Sequence, residues 1–159
     1  MGRIAGEVGA AAQPGLETPW LMRASLVVSD PHDDLSALTR LAGLEPTMRL
    51  APGDVLADRP IRTHQWRLDS GVDPRGALLD DHVEGLADLI GDHINTLAAA
   101  LREIDPAHVE LEVTLHVADE APLVRLTADG VDILGQLRAG LRLFFIQEPD
   151  YGFLDEDES

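Results

Sequence analysis

The ten residues His108-Val109-Glu110-Leu111-Glu112-Val113-Thr114-Leu115-His116-Val117 alternate between polar and apolar without a fault. Successive side chains of an extended chain point to opposite faces, so the valines and leucines form one row and the polar residues another. A strand with one buried and one wet face belongs to a mainly antiparallel sheet that is covered on one side only. The chain must therefore supply helices to cover that side.

Immediately upstream it does. Over Asp81–Ile104, Val83, Ala87, Ile90, Ile94, Leu97, Leu101 and Ile104 recur at spacings of four and three, which predicts one amphipathic helix of about 36 Å. Gly85 and Gly91 weaken it locally, and Asp105-Pro106 ends it. Such a stripe also suits a coiled-coil dimer, but flanking strands favour packing on a sheet of the same domain. Downstream, Asp119-Glu120-Ala121-Pro122 predicts a turn into a hairpin partner, Leu123–Thr127. Ile133, Leu134 and Leu137 then mark a short helix between Gly130 and Gly140. The run Leu141–Ile146, rich in Leu and Phe, reads as a last strand covered on both faces.

Toward the amino terminus, Arg23–Val28 predicts a strand ended by Asp30-Pro31. Asp33 or Asp34 is placed to cap a helix carrying Leu35, Leu38 and Leu41, and Gly43 stops it. Pro46, Pro52, Gly53 and Pro60 punctuate a long irregular segment from Leu44 to Thr63, a length that suits a functional loop. His64–Leu68 follows as a strand with Trp66 and Leu68 on one face. The expected fold is α+β, a mainly antiparallel sheet with helices packed on one face, in a two-layer sandwich.

At 159 residues and 45% hydrophobic, the chain has material for one core. We expect a mobile leader over residues 1–22, a single α+β domain over 23–147 and an acidic disordered tail over 148–159. The leader is Gly- and Ala-rich, but Glu7 interrupts it and it does not read as a signal peptide. No apolar run approaches the ~18 residues of a membrane-spanning helix. A cytoplasmic location is the corresponding expectation. Cysteine is absent, which excludes disulfides, thiolate metal sites and thiol nucleophiles. All 12 basic residues are Arg, so Lys-based Schiff-base or phosphate-loop chemistry is excluded too. The net charge of −17 opposes binding to a nucleic-acid backbone or an anionic membrane and favours encounter with a basic protein. Solubility or adaptation to a salt-rich host is the plainer reading of the same acidity.

The residues that carry chemistry form no recognised catalytic pattern. His82 and His93 are too far apart along one helix (~16 Å) to share an ion, and His108 and His116 are separated by ~25 Å of strand. His32 with Asp33 and Asp34 reads as a helix cap rather than a cation loop. Ser25, Ser29, Ser36 and Ser70 lie outside any Gly-x-Ser-x-Gly motif, and whether a His meets one in space cannot be read from spacing. We therefore expect no metal, no cofactor and no catalytic residue, and lean against an enzyme. One pattern stands out. Asp81, Glu84, Asp88 and Asp92 share one face of the long helix with no Arg at i+4 to offset them, a ridge suited to a basic partner. Arg59, Arg62 and His64 beside Trp66 form a local basic exception, and the four are a candidate anion or ligand site, although Trp66 reads first as a core anchor for the long loop.

The run Gly43-Leu44-Glu45-Pro46-Thr47, then Gly53, then Trp66-Arg67-Leu68-Asp69-Ser70 resembles the bacterial domain-of-unknown-function 4279 family. The resemblance spans about Arg23–Ile146. It implies the same order of strand, helix, Gly-Leu-x-Pro turn, loop glycine, Trp-bearing strand, long helix, strand hairpin and closing helix–strand. It carries no settled activity, only an association with bacterial immunity-type and accessory proteins. The leading expectation is a non-enzymatic interaction domain, an immunity-type protein that binds a basic partner through its acidic helix face. The alternatives are a small-ligand or metal-dependent enzyme with residues 44–63 as a lid, and an accessory domain whose acidity serves only solubility.

Overall fold

The structure is a computed structural model that describes residues 19–147. Residues 1–18 of the expected leader and the whole expected tail, 148–159, lie outside the described residues. Among the described residues there are seven strands: β1 Trp20–Asp30, β2 Met48–Leu50, β3 Val55–Leu56, β4 Arg59–Pro60, β5 His64–Asp69, β6 His108–Val117 and β7 Gly140–Gln147. Four helices accompany them: α1 Ser36–Ala42, α2 Leu79–Ile90, α3 Ile94–Ile104 and α4 Ala128–Leu137. The main sheet has the order β2-β5-β1-β6-β7, and β3 and β4 form a separate hairpin. Every pairing in the main sheet is antiparallel except β6–β7.

β6 pairs with β1 along its whole length, and in-register neighbours share a face. Met22, Ala24, Leu26 and Val28 therefore stand beside Leu115, Val113, Leu111 and Val109 on the helix-covered side. β5 adds Leu68 and Trp66 to that row. Opposite them lie Leu38 of α1, Val83, Leu86 and Ile90 of α2 and Leu97 and Leu101 of α3, in one core. Burying a Val, Leu or Phe side chain contributes ~1.5–3 kcal/mol, so this apolar row is the main source of stability. β1 begins at Trp20, three residues before the expected domain edge, and the Trp20 indole donates to the Ala77 carbonyl at 2.8 Å.

Four expectations need correction. The single helix over Asp81–Ile104 is two helices joined by a 3-10 turn, Gly91–His93. Gly91 stands at φ 50°, ψ −125°, outside the regions open to residues with a Cβ. The apolar stripe persists across the break because both helices pack on the same core. Leu123–Thr127 is not a strand: the chain runs extended, with Val124 and Leu126 packed against the core but no ladder. β6 instead reaches β7 through α4, the crossover that a parallel pair requires. The segment 44–63 contains β2 and the β3–β4 hairpin rather than being wholly irregular. Lastly, β7 is the sheet's outer strand, and all eight of its residues are exposed, not covered on both faces.

Local chemistry explains the helix ends. Asp33 Oδ1 accepts from the Leu35 amide and Asp34 Oδ1 from the Ser36 amide, so both expected capping acids hold the start of α1. Gly43 ends α1 at φ 69°, donating its amide to Thr39. Asp81 Oδ2 accepts from the Leu78 amide at the start of α2. At Gly85 an added Cβ would lie 2.8 Å from the Ser70 carbonyl oxygen, so α2 can approach that turn only without a side chain there.

Candidate functional site

Ser70 and His82 meet in the space between β5 and α2, a pairing that the sequence spacing could not reveal. Ser70 Oγ lies 2.6 Å from His82 Nδ1, and His82 Nε2 lies 2.7 Å from the Met22 carbonyl oxygen. A carbonyl only accepts, so Nε2 carries the proton and the Ser70 hydroxyl donates to Nδ1. In this neutral form of the imidazole, which burial favours, both nitrogens are used. His82 is 1% exposed and Ser70 6%, so no substrate reaches the hydroxyl. The pair ties the last turn of β5 to α2 and β1.

Burial holds the His82 pKa below its usual value, against smaller opposing effects of the Met22 hydrogen bond and Asp81. The folded state therefore resists taking up a proton that the unfolded chain binds near pH 6.5. Stability should be fully present above that pH and fall as pH drops through and below it. Urea midpoints measured between pH 7.5 and 5 should decline, and His82→Gln should flatten the decline. An equally steep decline in His82→Gln would place the titration elsewhere.

The open face of the sheet carries a polar network. Arg67 on β5 donates to Gln65 Oε1 at 2.8 Å and pairs with Glu112 Oε1 of β6 at 2.5 Å. Those strands flank β1, so the guanidinium crosses β1 beside Val27, which is buried although it sits on the open face. The Ser25 hydroxyl donates to Asp69, and Arg142 of β7 pairs with Glu110 at 3.1 Å. These bonds occupy the central charges of the open face.

Next to this network the surface changes character. Leu141, Leu143 and Phe145 of β7 are in register with Leu111, Val113 and Leu115, on the helix-covered side, yet they remain 47%, 45% and 54% exposed because the helix layer stops short of β7. Phe144 and Ile146 are exposed on the open side, with Arg142 6.0 Å from the Phe144 ring centre. The strand has no Pro and no Lys, and its one charge is engaged by Glu110. Natural edge strands are usually blunted by such residues, because unpaired backbone amides and carbonyls invite another strand.

The expected acidic ridge is present in part. Asp81, Glu84 and Asp88 are exposed on α2, whereas Asp92 lies in the 3-10 turn beyond the break at Gly91. None of the four is in an ion pair among the described residues. The candidate basic cluster is divided. Arg59 on β4 and Arg62 are exposed and His64 is half-buried, but Trp66 has no exposed surface and its indole donates to Thr39 Oγ1 at 3.0 Å. Trp66 is a core residue that fastens α1 to β5. Among the described residues, no group of three or more His, Asp or Glu is placed to hold a metal ion. Nor is any helix long and apolar enough to cross a membrane.

Spacing could not reveal the exposure of β7, because a Leu- and Phe-rich run reads the same at the centre or edge of a sheet. The informative sign was the failure of 123–127 to pair, which no periodicity reports.

The fold is thus an open-faced α+β sandwich whose outermost strand is apolar and, among the described residues, has no neighbour on its outer edge. The chain belongs to the family described as a domain of unknown function, DUF4279, which it matches over residues 21–145. No curated protein and no solved structure matches it.

Proposed function

We propose that this protein is a non-enzymatic interaction domain that completes its sheet with a strand of a basic protein partner along β7. The observation that supports this reading is an eight-residue outer strand, exposed throughout, whose five large apolar side chains each keep between 39% and 54% of their surface in solvent. Apolar surface concentrated in this way marks a protein-binding site, and an open edge supplies main-chain hydrogen bonds for an added strand. Charge selects the occupant. A second copy would bring another −17 to the seam, whereas a basic partner is drawn in by the same field. Asp81, Glu84 and Asp88, exposed on α2 and in no ion pair among the described residues, contribute to that steering. An immunity-type protein that neutralises a basic partner is the specific form of this reading.

The test begins with a partner captured from the source cell and shown to be basic. Replacing Asp81, Glu84 and Asp88 by Asn or Gln should slow association about tenfold at low salt and flatten its salt dependence, with dissociation little changed. Equal rates and salt slopes for wild type and variant would remove α2 from the account. Self-association through β7 at micromolar concentration would overturn the choice of partner.

A further inference from the structure

A second feature lies just before the start of β7, at the end of the helix layer where α3 and α4 both terminate. A cleft of about 400 Å³ opens there, with Leu101, Val109 and Leu137 in its lining and Arg102, Asp105 and Arg138 beside them. This volume falls within the range of small-molecule sites. Neither guanidinium has a hydrogen bond or ion pair among the described residues, although the chain around them is strongly acidic.

The backbone supplies an independent observation. Asp105 caps α3 at φ 53° and Arg138 caps α4 at φ 53°, both in the left-handed region. Glycine is the favoured residue at such a cap because a Cβ is strained there. Arginine at this place is costly to the fold, and Arg102 lies in the last turn of α3 without that cost. A cation near a helix carboxyl end does complement the helix dipole. That role does not require position 138, since a basic residue in the preceding turn would serve α4 as Arg102 serves α3.

We propose that this cleft binds a small organic anion, a phosphate or carboxylate carrying an apolar body and a hydrogen-bond donor. Arg102 and Arg138 hold the anionic group, Leu101, Val109 and Leu137 contact the body, and Asp105 accepts from the donor. No residue lining the cleft belongs to β7 or α2, so variants at Arg102 and Arg138 separate its ligand from the protein partner.

Binding of 4-hydroxyphenyl phosphate and of 4-hydroxybenzoate to the full chain is measured by calorimetry at 0.15 M salt. At least one should bind with a Kd below about 1 mM. Binding of the phosphate alone assigns a phosphate ester, and binding of the benzoate alone assigns a carboxylate. Arg138→Gly relieves the strained cap and removes the guanidinium together. It should raise the melting temperature by about 2–4 °C while weakening binding ten- to a hundredfold. Arg102→Gln should weaken binding similarly without the rise in melting temperature. Absence of binding by either probe at 10 mM, wild-type affinity in Arg138→Gly, or a lower melting temperature in that variant would overturn the proposal.

Discussion

Trp66→Ala should lower the unfolding free energy by about 3–5 kcal/mol, a large share of the ~5–15 kcal/mol that a domain of this size possesses. The indole has no exposed surface and packs where α1 meets β5, so truncation leaves a cavity that its neighbours fill only partly. It also strands the Thr39 hydroxyl, which accepts the indole N–H at 3.0 Å. Trp66→Phe restores most of the apolar contact and should cost about 1–2 kcal/mol, the loss of the hydrogen bond and part of the area. Urea unfolding followed by far-ultraviolet circular dichroism reads both. A loss below about 1 kcal/mol in Trp66→Ala would return this residue to the candidate ligand platforms.

The second large effect falls on binding, with a smaller one on folding. Leu143→Glu combined with Phe145→Glu should lower the unfolding free energy by no more than about 2 kcal/mol, because only about half of each side chain is withdrawn from solvent. The same pair of changes should weaken the captured basic partner by a hundredfold or more. Truncating an apolar anchor at the centre of an interface removes ~2 kcal/mol or more, and two anchors act together along one strand. The mirror change on the other side of the strand, Ile146→Thr, keeps β propensity and should weaken binding less than tenfold. A folded double variant with unchanged affinity would place the partner elsewhere on the molecule.

The difference between these two sets of residues shows what the sequence could disclose. The alternation of β6 fixed a one-sided sheet because period and burial coincide there: Leu111, Val113, Leu115 and Val117 are all buried. Gly43 was legible because a helix end at that spacing leaves glycine one physical role, and it stands at φ 69°. The break at Gly91 was not, since the apolar stripe runs through it unchanged and only the backbone angle separates α2 from α3. The hairpin was misread because Leu123–Thr127 has strand-like composition, while the pairing decision was made elsewhere. α4 carried the chain over to a parallel place beside β6, and that left β7 outermost.

The candidate sites followed the same logic. Asp81, Glu84 and Asp88 lie on one helix turn after another, so local periodicity placed them on one exposed face. Asp92 was lost to the turn beyond the helix. Arg59, Arg62, His64 and Trp66 are close in sequence, but strand alternation and packing against α1 took Trp66 into the core. Ser70 with His82 and Arg102 with Arg138 are tertiary meetings, outside the reach of any short-range pattern.

The account stands most directly on the outer edge of β7. Amide hydrogen exchange of residues 140–147 is measured in the free protein at low concentration and again with the basic partner at saturation. Alternate amides of an outer strand point away from β6, its one neighbour among the described residues, so they should exchange rapidly in the free chain. Addition of a strand should slow those amides at least a hundredfold, with smaller changes on α2. Amides of β7 that exchange equally fast with and without bound partner would contradict the central claim.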